Sequence, residues 1–249
     1  MALIEFENVS KTFKQGTGAK LLLRHMQEKV QRREHNLFFA LRGVSFKLDR
    51  GESLAIIGRN GAGKSTLLSL VAGLALPNQG RVSVDGRVAA LLELGSGFHG
   101  DLTGIENLWL NASLLGLTRK RTAQVFDSVI DFSGIGEFIF QPLRTYSTGM
   151  VMRLAFAVAV HVDPDILIVD EVLAVGDAVF YQKCLDKIME FRHAGKTLLF
   201  VSHAPAMLHS LCGRALWLEQ GQVVEDGRID EVAGRYAARY ESHPRLDGV

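Results

Sequence analysis

Gly58-Arg59-Asn60-Gly61-Ala62-Gly63-Lys64-Ser65-Thr66 is the stretch whose reading decides the fold. Leu54-Ala55-Ile56-Ile57 before it reads as a buried strand, and Leu67-Leu68-Ser69-Leu70-Val71-Ala72 after it reads as a helix start. A glycine-rich loop in that setting turns successive backbone N–H groups inward and wraps a phosphate chain. Lys64 then reaches the terminal phosphates, and the Ser65 hydroxyl is placed to ligand Mg²⁺. The phosphate-binding candidates are Gly58, Asn60, Gly61, Ala62, Gly63, Lys64, Ser65 and Thr66. A purely structural strand-to-helix turn is the alternative for the loop taken alone.

A second segment supplies carboxylates. Ile166-Leu167-Ile168-Val169 is a continuous aliphatic run, the pattern of a central parallel strand covered on both faces, and it delivers Asp170-Glu171 to the carboxyl edge of the sheet, where ligands of open α/β folds bind. Asp170 is placed to hold Mg²⁺, directly or through water. Glu171 is placed to polarise a water attacking the γ-phosphate, as general base. The plainer reading makes the pair strand-end carboxylates that cap the next helix.

Between these two lies Tyr146-Ser147-Thr148-Gly149-Met150, followed by the apolar helix Val151–Val160. This segment resembles the signature motif of ABC ATPases, usually Leu-Ser-Gly-Gly-Gln; Ser147 and Gly149 match, whereas Tyr146, Thr148 and Met150 depart. The departures are similar to those of the ATP-binding subunits that export O-antigen, capsular polysaccharide and teichoic acid. Glu93–Asn107 and Asp170–Phe180 also resemble that branch, and the likeness covers nearly the whole chain.

The resemblance implies a P-loop NTPase core of the α/β class with a mixed sheet, an N-terminal antiparallel β region and an inserted helical subdomain. One nucleotide-binding domain would span 1–249, with its core at about 1–93 and 163–249 and the helical part at about 94–162. No C-terminal carbohydrate-binding domain is expected. Ser147, Thr148 and Gly149 would meet the ATP held by an opposite subunit. His203, after the apolar run from Thr197, matches the switch histidine at the γ-phosphate, and Asp177 matches the D-loop aspartate. Phe13 sits where the family stacks an aromatic on adenine; a core aromatic of an edge strand is its alternative, and Phe38 and Phe39 compete for the stacking role. Arg87–Leu102 has no glutamine, so Glu93 is the nearest side chain for the Q-loop place at Mg²⁺.

Pattern switches along the chain agree with this organisation. Strand-like runs occupy about 1–93, helical patterns about 94–162, and strands return at Ile166–Val169 and Leu198–Val201. Lys+Arg 28 against Asp+Glu 27 leaves no net field to draw nucleic acid. Cys184 and Cys212 form neither a metal spacing nor a disulfide framework, which fits a reducing compartment. No apolar run approaches the ~18 residues of a spanning helix, so transport would need separate membrane subunits. The expected assembly is a homodimer beneath two permease subunits at the cytoplasmic face of the inner membrane, using ATP and Mg²⁺ to export a lipid-linked polysaccharide. Another transporter cargo, or a soluble ABC ATPase acting on nucleic acid or ribosomes, are the alternatives.

Gln15–Asn36 is the least ordinary stretch: Lys20, Arg24, His25, Lys29, Arg32 and Arg33 lie among Leu21, Leu22, Leu23, Met26 and Val30. As a helix it sets basic residues beside an apolar stripe, either as a solvated helix over the sheet or as a contact at the membrane face, away from the phosphate loop. The C-terminal Ile229–Tyr240 reads as a helix.

Overall fold

The computed structural model describes residues 2–14, 37–91, 95–170, 177–201 and 205–241. Glu93, Glu171, His203 and the whole of Gln15–Asn36 therefore lie outside the described residues.

The aliphatic runs that read as central strands form the middle of a six-stranded sheet. Strands β3 (Ser53–Ile57), β5 (Val88–Ala90), β6 (Ile166–Val169), β7 (Thr197–Val201), β8 (Arg214–Glu219) and β9 (Gln222–Arg228) lie in the order β5-β6-β7-β3-β8-β9. The first five are parallel, and β9 closes the edge antiparallel to β8. Because side chains alternate across a strand, each run feeds two cores. Leu54, Ile56, Ile166, Ile168, Leu199 and Val201 enter one, and Ala55, Ile57, Leu167, Val169, Leu198 and Phe200 enter the other. Continuous apolar sequence is what a sheet covered on both faces requires.

The first core is closed by a three-stranded antiparallel sheet, β2-β1-β4, built from β1 (Ala2–Lys14), β2 (Leu37–Asp49) and β4 (Gln79–Val84). Phe6 and Phe46 stack across its inner face at 4.7 Å between ring centroids. Helix α1 (Lys64–Val71) packs into the same core through Leu67, Leu68, Leu70 and Val71. Each such side chain taken fully from water contributes about 1.5–3 kcal/mol.

The second core is covered by the helices that intervene between β5 and β6. These are α2 (Gly104–Leu114), α3 (Arg119–Ser133) and α4 (Thr148–His161); α5 (Ala178–His193) and α6 (Pro205–Leu211) follow. Helix α4 is apolar on nearly every side, burying Leu154 through Val160, because it lies between the sheet and the helices above it. Helix α7 (Ile229–Glu241) returns to β8 and β9 at the far edge. Among the described residues no helix is long and apolar enough to cross a membrane.

The sheets agree with the expected class, including the antiparallel N-terminal region and the mixed central sheet. One boundary moves. Helix α1 begins at Lys64 rather than Leu67, because Gly63 ends the loop in a left-handed conformation and the next residue already carries helical hydrogen bonding.

Candidate nucleotide-binding site

The phosphate loop leaves the C-terminal end of β3 and ends at the N-terminus of α1. Gly63 is the N-cap, with φ 106° and no side chain to occupy the amides of the first turn. A helix start in this state carries a partial positive charge facing outward. The space beside Gly63 is also closed to a side chain: a Cβ there would lie 2.5 Å from the Ala40 carbonyl oxygen and 2.8 Å from Leu41 Cδ2.

Lys64 is 8% exposed and its side chain turns back onto the loop. Its ammonium donates to the carbonyl oxygens of Gly58 at 2.6 Å and Arg59 at 3.1 Å. The loop thus carries its own cation, held in position before any anion arrives. Asn60, Gly61, Ala62, Gly63, Lys64, Ser65 and Thr66 line one cleft of about 520 Å³, together with Phe38, Ala40, Asp170 and Val201. The Asp170 carboxylate is brought there by β6, as the aliphatic run before it dictates. A hydroxyl-bearing and a carboxylate-bearing residue in one cleft supply oxygen donors of the kind suited to Mg²⁺, and inward amides with a lysine suit a polyphosphate. The residues present fit both groups.

Phe38 is the aromatic in this cleft wall. Phe13 stands opposite it in the β1–β2 ladder, 46% exposed, with the Lys11 ammonium 5.3 Å from its ring centroid. Lys14 and Leu37 form the ladder pair beyond them. Lys14 and Leu37 flank Gln15–Asn36, whose proposed place at a membrane face lies outside the described residues.

Ser147 is the N-cap of α4, its Oγ accepting from the Met150 amide at 3.2 Å, so that Thr148 and Gly149 open the helix. None of the three lines the phosphate cleft. Asp177 caps α5: one carboxylate oxygen accepts from the Phe180 amide at 2.9 Å, and the other accepts from Arg153 of α4 at 2.7 Å. The Phe180 amide, with Arg153 beside it, holds the Asp177 carboxyl below its usual range. This pair ties the signature helix to the start of α5.

The segment before α2 is organised by Asn107, which is fully buried. Its Oδ1 accepts from the His99 amide at 2.7 Å, and its Nδ2 donates to the carbonyls of His99, Leu102 and Thr103 at 3.0–3.1 Å. Thr103 and Glu106 form a reciprocal capping box at the same turn. These bonds order His99–Asn107, the latter part of the Glu93–Asn107 stretch that resembles the family.

Sequence reasoning missed one element of the site. The turn between β8 and β9 supports the phosphate loop: the Gly221 amide donates to the Ala62 carbonyl at 3.0 Å, and the Gly221 carbonyl accepts from Arg42 at 2.8 Å. Leu216-Trp217-Leu218-Glu219-Gln220-Gly221-Gln222-Val223-Val224 carries the hairpin signal, a glycine turn between apolar runs.

A phosphate loop at a strand–helix junction, with a strand-end aspartate in the same cleft, defines a P-loop nucleotide-binding protein. The ABC transporter family model matches residues 41–174, and the chain belongs to that family. It is 46% identical over 238 residues to an O-antigen export system ATP-binding protein, RfbB, of Klebsiella pneumoniae, covering 94% of this chain and 97% of that one. It is 44% identical over 233 residues to a teichoic acids export ATP-binding protein, TagH, of Bacillus anthracis, covering 94% of this chain but 42% of that one. Among solved structures, an ATP-binding subunit of an ABC transporter superposes with TM-score 0.74 at 24% identity, covering 96% of this chain and 95% of that one. A dimeric post-hydrolysis ATP-binding cassette bound to ADP and phosphate gives 0.72 at 20% identity, covering 91% and 98%. At these identities the two structures attest the fold.

Proposed function

We propose that this chain is the ATP-hydrolysing subunit of an exporter of lipid-linked polysaccharide of the O-antigen, capsule or teichoic acid type. The observation that carries the reading is the shared cleft of Lys64, Ser65 and Asp170, in a chain similar over nearly its full length to an O-antigen export ATP-binding protein. The chain acts as one nucleotide-binding domain, with the helical part at about 94–162 set into a core of about 1–93 and 163–249.

Each residue has a task in this reading. Lys64 places positive charge at the terminal phosphates. Ser65 and Asp170 would hold Mg²⁺, which when bound supplies Lewis-acid charge at those phosphates. Glu171 accepts the proton of the attacking water, and His203 hydrogen-bonds the γ-phosphate. Glu93 takes the place of the Q-loop glutamine, and Phe38, with Phe13 beside it, offers the adenine a ring.

Ser147–Gly149 lies outside the cleft of its own chain, and this supports a sandwich in which two copies each complete the other's site. ATP then favours the closed pair through its differential affinity for the two states, and hydrolysis reopens it. Closure would be transmitted to two permease subunits at the cytoplasmic face of the inner membrane. A second cleft of about 480 Å³, walled by Gly95, Ser96, Gly97, Asn111 and Leu114, supports that contact, as do the exposed rings of Phe138 and Phe140.

Deleting the gene and complementing it tests the whole reading. The deletion is expected to leave the surface without its polysaccharide and polymer within the cell; wild type restores display and Lys64→Ala does not. Unchanged display in the deletion strain would overturn the cargo.

A further inference from the structure

The phosphate loop has a back as well as a mouth, and the back is held by α7. Arg59 joins the two sides. Its carbonyl accepts from the Lys64 ammonium at 3.1 Å and from the Ala62 amide at the same distance. Its guanidinium lies over the ring of Tyr240, 5.5 Å from the centroid, near the C-terminal end of α7.

Tyr240 is itself fixed from three directions. Its hydroxyl donates to a carboxylate oxygen of Glu219, at the end of β8. That bond, the main cause, raises the phenol above its ordinary pKa. Arg239 reaches the other oxygen of Glu219 at 3.0 Å and stacks over Trp217. Trp217 meets Tyr236 and Tyr240 at 5.5 and 6.4 Å between centroids, both nearly edge-on. Glu219 begins the turn whose Gly221 amide holds the Ala62 carbonyl. Arg59, Asn60, Gly61, Ala62, Glu219 and Tyr240 enclose a hollow of about 240 Å³ on this side. At Gly58 the Leu218 carbonyl stands where a Cβ would be, so the end of β8 backs directly onto the loop.

We infer that Tyr240 and Glu219 are positioning residues for ATP: through Arg59 and the Glu219–Gly221 turn, the end of α7 fixes the phosphate loop that holds Lys64. The inference rests on the ATPase reading. It makes α7 a point from which a contact at the C-terminal end of the domain adjusts nucleotide affinity. Neither residue touches the nucleotide; both act through the loop.

Steady-state ATPase of the purified chain, with KM and kcat measured separately, tests it. Tyr240→Ala is expected to raise KM for ATP by about two- to fivefold, the range of one exposed cation–π contact, with kcat per folded molecule nearly unchanged. Tyr240→Phe keeps the ring under Arg59 and is expected to recover most of that loss. Arg59→Ala is expected to raise KM similarly, and the double variant with Tyr240→Ala no further, because both remove one contact. A Tyr240→Ala chain with lowered melting temperature and unaltered KM, or additive effects of the two alanines, would overturn the inference and leave the ATPase reading intact. A folded wild-type chain without ATPase would overturn both.

Discussion

Two glycines of one loop separate the conformational and steric demands on the phosphate site. Gly61 and Gly63 both have positive φ, 80° and 106°. For an L-residue that conformation costs about 1–2 kcal/mol, and Gly61→Ala incurs this alone because nothing lies within 4 Å of its Cβ position. Gly63→Ala incurs the same cost and also drives a methyl to 2.5 Å from the Ala40 carbonyl. That carbonyl belongs to β2 and cannot retreat without disturbing the ladder to β1, so overpacking adds about 1–3 kcal/mol. The expected difference between the two variants is about 2 kcal/mol, or about 4–8 °C in melting temperature for a chain of this length. Thermal denaturation of the nucleotide-free proteins measures it, and ATP added to Gly61→Ala should still raise its melting point. Variants that melt together, or a Gly61→Ala that melts lower, would refute the close approach of β2 to the loop.

Further outcomes follow from the same site. Glu171→Gln is expected to abolish turnover yet bind ATP, and to elute as a dimer in size-exclusion chromatography with ATP and Mg²⁺; a monomer that binds ATP counts against the sandwich. Mixing Ser147→Arg with Lys64→Ala subunits is expected to restore part of the ATPase that each lacks alone, since one mixed site is intact; demonstrated mixed dimers without recovery would argue against completion in trans. Burial pushes both Cys184 and Cys212 up to about 12. Thiol reagents at pH 8 should therefore label them only on unfolding, and rapid labelling of the native chain would contradict their burial. The sign follows from linkage: between pH 9 and 12 the unfolded chain has lost protons that the folded chain keeps, so stability falls as pH rises through that range.

Much of this architecture was legible in the sequence because its signals are local. Four aliphatic residues ending in Asp170, or a glycine loop ending in Lys64, depend on neighbours within a few positions, and β3, β6 and β7 lie within a residue of where the runs predict them. The helix start at Ser147 was legible for the same reason, since an N-cap is satisfied by the amide three residues on. The hairpin Arg214–Arg228 is less plain, because its outer strand alternates half-buried and exposed residues at the edge of the sheet.

The sequence by itself determined the class of protein: a phosphate loop, a strand-end carboxylate and a helix-capping signature in fixed order, with two-sided burial written into unbroken aliphatic runs. What only the tertiary structure decided is which distant residues meet at the loop. Phe38 enters the cleft wall because β1 and β2 pair in a register that sets it opposite Phe13. Tyr240 comes under Arg59 because α7 folds back on β8, joining residues remote in the chain. Such contacts depend on strand register and helix docking, which are settled by burying the whole core at once, and no short window of sequence carries them.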